Sequence, residues 1–136
     1  MVRLAHVLIG SNLAAQDLVQ DAFLKVGVRL DGVDNPAAYL RQAVVNECRM
    51  WLRRTEVEAR HARSGREQVD LPPELDEMWD ALARLPERQR VTLVLRFYED
   101  LPIDEIAAVL DARPGTVKSL IHRGLKSLKE VIDDGH

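Results

Sequence analysis

Apolar positions recur three and four residues apart along most of this chain, and they do not alternate with polar ones over any long run. The spacing predicts helices throughout. Met1 to Ile9 reads as a helical segment with Leu4, Val7 and Leu8 apolar, ending at Gly10. Ser11-Asn12 then offers an N-cap for a helix from about Leu13 to Leu30. Its apolar side is Leu13, Leu18, Val19, Ala22, Phe23 and Val26, and Asp17, Gln20, Asp21 and Lys25 form the opposite face. Asp34-Asn35-Pro36 places a capping residue before a proline at the first helical position. The helix it opens, Ala37 to about Ala62, is expected to bury Tyr39, Leu40, Ala43, Val44, Met50 and Leu52.

The period fails between Arg60 and Pro73. HARSGREQVDLPP is polar, contains Gly65 and ends in two prolines, which marks a linker between two small helical domains. The expected division is 1–60, a linker at 61–73, and 74–136. The second domain starts with an acidic run, Glu74, Asp76, Glu77 and Asp80, whose buried side is Leu75, Met78, Trp79 and Leu82. After Leu85-Pro86 a helix from Glu87 to Tyr98 turns Val91, Val94, Leu95 and Tyr98 inward.

The last stretch, Pro102 to Val131, reads as two helices joined by a tight turn. Pro102, Asp104 and Glu105 suit a first turn, where acidic groups meet the positive end of the helix dipole. Ile106, Val109 and Leu110 share a face, and Ala107 permits a close crossing. Asp111 breaks the run at a position that glycine usually holds, and aspartate tolerates the left-handed conformation better than most residues. Arg113-Pro114-Gly115 restarts it, with Val117, Leu120, Ile121, Leu125 and Leu128 as one apolar stripe. Together these form a helix-turn-helix.

Composition sharpens the picture. The 136 residues allow one average domain or two small ones, and 46% hydrophobic with 30% charged residues is globular. A single cysteine, Cys48, excludes an internal disulfide and a cysteine-based zinc site, and it reads as a small core residue. His6, His61, His122 and His136 are too scattered for a metal site. There is no secretory signal and no run of the ~20 apolar residues that span a bilayer. A soluble, cytoplasmic protein without membrane insertion is expected. Nucleophile–base pairs, glycine-rich phosphate loops and metal boxes are all lacking, which argues against catalysis.

Charge then points to a partner. The formal net charge is -3, yet no acidic residue occurs from Ala112 to Lys129, where Arg113, Lys118, Arg123, Lys126 and Lys129 stand. So local a cluster points at a polyanion, although a solvated charged face is the plain alternative. Ser119, His122 and Arg123 lie away from the apolar stripe, within reach of base edges or phosphates. The helix after Pro36 carries Arg41, Asn46, Arg49, Arg53 and Arg54 with Trp51 among them. Cations interleaved with an aromatic suit single-stranded nucleic acid, and equally suit an amphipathic helix with its arginines in water.

The ordered set DLVQDAFLKV, NPAAYLRQAVVNECRMWLRR, a linker, LARLPERQRVTLVLRFYEDLPIDEIAAVL and GTVKSLIHRGLKSLK resembles a bacterial RNA polymerase sigma factor of the sigma-70 superfamily. It looks like the extracytoplasmic-function (ECF) group, which keeps regions 2 and 4, and the likeness covers nearly the whole chain. The resemblance implies an all-α fold of two small domains, the second a four-helix domain with the helix-turn-helix. It implies promoter recognition and transcription initiation, with core RNA polymerase and promoter DNA as partners, an anti-sigma factor as a regulator, and no cofactor. On this likeness Asp17, Gln20, Asp21 and Phe23 dock on the polymerase. Asn46, Arg49, Trp51, Arg53 and Arg54 meet the non-template strand of the −10 element. Lys118, Ser119, His122 and Arg123 read the −35 duplex, with Arg113 and Thr116 near its backbone. The family normally has a further helix-length segment ahead of the point where Met1 stands, and Leu120 replaces a frequent arginine. A stand-alone helix-turn-helix regulator is the alternative, or a truncated sigma that titrates polymerase or an anti-sigma factor.

Overall fold

The computed structural model describes residues 1–61 and 73–134, so most of the expected linker, 61–73, lies outside the described residues. Every regular element among the described residues is helical. The chain divides into two compact units, Met1–Asp70 and Leu71–His136.

The first unit packs α1 (Val2–Ile9), α2 (Asn12–Val26) and α3 (Pro36–His61) against one another. Gly10 ends α1 with φ 78°, and its N–H donates to the His6 carbonyl at 2.7 Å. That left-handed geometry is what glycine supplies without steric cost. The next residue starts the next helix: Ser11 is extended, and its Oγ accepts from the Ala14 N–H at 3.2 Å, a cap worth about 1 kcal/mol. Asn35 does the same for α3, where its Oδ1 accepts from the Ala38 N–H at 3.2 Å just ahead of Pro36. The core is Leu4, Leu8 and Ile9 of α1, Ala15, Leu18, Val19 and Ala22 of α2, and Leu40, Val44, Val45, Cys48 and Leu52 of α3. Ala15, Ala22 and Cys48 are fully buried, and their small size lets the helices close up. Burial and the neighbouring Glu47 charge push the Cys48 thiol up to about 12, so it is an inert core group.

Several expectations are corrected here. The α-helix stops at Val26, not Leu30, and continues as a 3₁₀ segment, Gly27–Gly32, with no buried residue. Beyond Ala22 the chain has no core side chain to hold it against its neighbours, and Gly27 lowers helix propensity. Leu13 and Phe23, read as core, are exposed, and so is Met50. The core face of α3 is completed instead by Val45, Cys48 and a largely buried Glu47, which accepts from Lys25 and ties α2 to α3.

The second unit contains α4 (Pro73–Ala83), α5 (Glu87–Leu93), a π-helical turn (Val94–Tyr98), α6 (Ile103–Leu110) and α7 (Pro114–Asp134). Trp79, Leu82 and Leu85 join Val91, Leu93, Val94, Leu95, Ile106, Val109, Leu110, Val117 and Leu120 in its core. The helix expected to reach Tyr98 as one α-helix widens at its end. Glu99 N–H reaches back to the Val94 carbonyl and Leu101 N–H to the Leu95 carbonyl, both at 3.0 Å. The wider turn leaves Phe97 and Tyr98 exposed, and Met78 is exposed as well, against the expectation that Met78 and Tyr98 point inward. Arg96 Nη1 donates to the Leu101 carbonyl at 3.1 Å, which secures the chain just before α6.

The turn of the helix-turn-helix sits on Asp111, at φ 52° and ψ 50°, with the Ala112 N–H donating to the Ala107 carbonyl at 2.9 Å. Pro114 opens α7, and the first bond of the new helix runs from the Val117 N–H to the Arg113 carbonyl at 3.1 Å. Along α7 the buried line runs through Val117, Leu120 and Gly124, whereas Leu125, expected inward, is exposed. Gly124 permits the close approach to α5: a Cβ there would stand 3.1 Å from the Leu93 side chain. Leucine at 125 lies one step round the helix, beyond that contact.

Candidate functional site

Three exposed helix faces carry the candidate residues, one on α7, one on α3 and one on α2. The face of α7 opposite its buried line is cationic and polar. Lys118, Ser119, His122, Arg123, Lys126 and Lys129 are exposed on it, with Arg113 and a half-buried Thr116 at its start. Lys118, Ser119, His122 and Arg123, four of the six residues expected to meet the duplex, are therefore brought to one surface. Arg123 lies back along the helix, its Nε donating to the Ser119 carbonyl at 3.4 Å. From Lys118 to Lys129 the cations cover about 16 Å of helix axis, enough to follow a major groove ~12 Å wide. The turn at Asp111 and the Gly124–Leu93 contact fix this helix against α5 and α6, so the cationic side is the one left in water.

The face of α3 is shorter. Asn46 and Arg53 are exposed and Arg49 half-buried, all on one stripe, and exposed Arg54 borders it. Trp51 is not brought to that stripe. At ~100° per residue it stands about 140° round the helix from Asn46, among Leu40, Val44 and Cys48, and is half-buried. Met50 occupies the stripe instead, one turn after Asn46 and one turn before Arg53 and Arg54.

On α2, Asp17, Gln20, Asp21 and Phe23 are all exposed. Two residues of this face escaped sequence reasoning. Leu13 is 71% and Leu24 72% exposed, and they bracket Asp17 and Gln20 on one line at four-, three- and four-residue steps. The signal was present in that spacing, but Leu13 had been given to the core. An apolar line of this kind, studded with carboxylates, fits a protein surface that is itself apolar and basic. Among the described residues no group of three or more His, Cys, Asp or Glu is placed to hold a metal ion, and no helix is long and apolar enough to cross a membrane.

Known proteins are similar to this chain in sequence and fold. Residues 1–57 match the family model described as sigma-70 region 2, and residues 75–128 that described as sigma-70, region 4. The sequence is 31% identical over 141 residues to the RNA polymerase sigma-E factor of Streptomyces avermitilis, covering 98% of this chain and 79% of that protein. It is 31% identical over 140 residues to the ECF RNA polymerase sigma-E factor of Escherichia coli, covering 87% and 71%. Among solved structures, the sigma factor RpoE of Bartonella quintana, crystallised with the anti-sigma factor NepR, superposes with a TM-score of 0.79. That match has 25% sequence identity and covers 97% of this chain and 89% of that one.

Proposed function

The chain belongs to the sigma-70 family of RNA polymerase sigma factors, in its ECF group, and we propose that it directs core polymerase to promoters through three separate helix faces. It recognises promoter DNA and initiates transcription. Residues 1–60 act as region 2 and residues 74–136 as region 4, joined by the 61–73 stretch. The chain supplies specificity, the polymerase supplies the chemistry, and both work in the cytoplasm.

The observation that carries this reading is the segregation of surfaces. The acidic, leucine-bearing face of α2 meets a protein, and the cationic faces of α3 and α7 meet nucleic acid. In α7 the outward side chains enter the major groove of the −35 duplex. Arg113 and Lys118 neutralise phosphates, and Ser119, His122 and Arg123 stand where base edges are read. In α3 the Asn46 amide offers a donor and an acceptor to an unpaired base of the −10 strand, while Arg49, Arg53 and Arg54 neutralise its backbone. An acidic chain that binds DNA weakly alone gains affinity when polymerase tethers both units to one promoter. The likeness to a sigma factor held by its anti-sigma factor supports a regulator that engages this chain too.

The test is run-off transcription from a pool of promoter fragments with core polymerase, with and without the protein. New transcripts sharing two upstream motifs at fixed spacing are expected. Arg123→Ala should weaken promoter use and spare core binding, and Asp17→Ala with Phe23→Ala should do the reverse. Binding of a palindromic duplex without polymerase, and no polymerase-dependent transcripts, would replace this reading with a stand-alone regulator.

A further inference from the structure

We propose that Met50 is a specificity-determining residue, packing its thioether against one unpaired −10 base; this rests on the assignment of α3 to the −10 strand. The residue is 46% exposed on a helix whose opposite side is closed by Leu40, Val44, Cys48 and Leu52. Asn46 stands one turn before it, and Arg53 and Arg54 one turn after, so between Asn46 and Arg54 it is an exposed apolar group among polar and cationic neighbours. An isolated exposed methionine is common and by itself says little. Its neighbours give it meaning. Side chains four apart on a helix stand about 5–6 Å from each other, so one flat base can lie on the thioether while its edge reaches the Asn46 amide. The phosphate beside that base then meets the guanidinium one turn on.

The chemistry of the occupant follows from the set. Glu47 lies on the packed side and is engaged by Lys25, so from Asn46 to Arg54 the exposed charges of this face are cationic, which suits a strand of phosphates. A nucleobase supplies what the three groups ask for in one ligand, an aromatic face, a hydrogen-bonding edge and an adjoining anion. Sulfur is polarizable and makes favourable contacts with aromatic rings, and the unbranched side chain adapts to the ring it meets. Trp51, turned to the other side of the helix, cannot serve the base that Asn46 reads.

The experiment uses the full-length chain bound to core polymerase and a forked promoter whose −10 non-template strand is unpaired and randomised. Bound strands are sequenced. With Met50→Ala the base preference at one −10 position should flatten by about two- to tenfold, with −35 dependence and core affinity unchanged. Met50→Leu, which keeps an apolar contact, should retain most of the preference. Asn46→Ala should disturb the same position or its neighbour. An unaltered profile for Met50→Ala beside an altered one for Asn46→Ala would overturn the proposal, as would a Met50→Ala defect confined to core binding. If Asn46→Ala, Arg53→Ala and Met50→Ala all leave −10 selection unchanged, the assignment of α3 itself fails and takes the proposal with it.

Discussion

Helices α2 and α7 are both packed by one side, and they leave opposite chemistries in water. On α2 the solvent meets Leu13, Asp17, Gln20, Asp21, Phe23 and Leu24; on α7 it meets Lys118, Ser119, His122, Arg123, Lys126 and Lys129. A sheet of water over two leucines and a phenylalanine is unfavourable by roughly 25 cal/mol for each Å² of apolar surface, so that face gains by being covered. A row of cations gains nothing from being covered by protein of ordinary composition, and gains much from releasing the counterions of DNA. The difference teaches that what a helix fails to bury tells more about its partner than what it buries. On the proposed reading, the same chain carries a face for protein and a face for nucleic acid.

The comparison breaks most easily at the leucines. Buried anchors at protein interfaces often cost 2 kcal/mol or more when truncated to alanine, about thirtyfold in affinity. Leu13→Ala combined with Leu24→Ala should lower affinity for core polymerase by at least that much, measured by fluorescence anisotropy of the labelled chain. Both residues are largely exposed, so the variant should melt like the parent protein. Core affinity that survives the double substitution would leave the α2 face without a partner.

The second effect is smaller and is read in salt. Lys118→Ala should weaken promoter binding by the polymerase complex about fivefold near physiological salt. It should reduce the slope of log K against log salt by about 0.9, the value expected for one phosphate contact. The leucine variant should leave that slope alone. If removing Lys118 changed the affinity but not the slope, the side chain would be packing or reading a base and not neutralising a phosphate.

Local signals along the sequence were legible because each depends on a few adjacent residues. Ser11 and Asn35 cap helices, Pro36 and Pro114 open them, and Asp111 takes the left-handed turn where a break was read. The cationic face of α7 was legible too, since eighteen residues without an acid need no tertiary knowledge. What stayed hidden has one cause. Hydrophobic periodicity sends every apolar residue inward, whereas burial is a one-way rule and a folded surface keeps much apolar area. Leu13, Phe23, Met50, Met78, Tyr98 and Leu125 were all sent to the core on that logic and are exposed. Gly124 was invisible for the complementary reason: its worth lies in Leu93, thirty-one residues earlier, and no local pattern joins them. The π-helical turn at Val94–Tyr98 likewise shows itself in the bonds that Glu99 and Leu101 make back to Val94 and Leu95, which hydrophobic periodicity does not report.

The finest effect concerns what holds α2 to α3. Lys25 of α2 donates to Glu47 of α3, with the lysine side chain 63% and the glutamate 11% exposed. The hydrogen bond that Lys25 donates to Glu47, and next the negative charge of Glu47, hold the Lys25 ammonium above the ordinary lysine value of 10.5. A raised value means that folding favours the protonated lysine. The stabilisation is therefore complete below pH 10.5 and disappears as pH climbs through the raised value. Because Lys25 is well solvated, the effect on stability is small. Thermal melts of the parent protein and Lys25→Met should differ by a constant gap from about pH 7 to pH 10, and the gap should close above pH 10.5. A gap that persisted at higher pH would assign it to the packing of the lysine stem on α3. Closure would show that charge, not contact area, is what this pair contributes to holding α2 against α3.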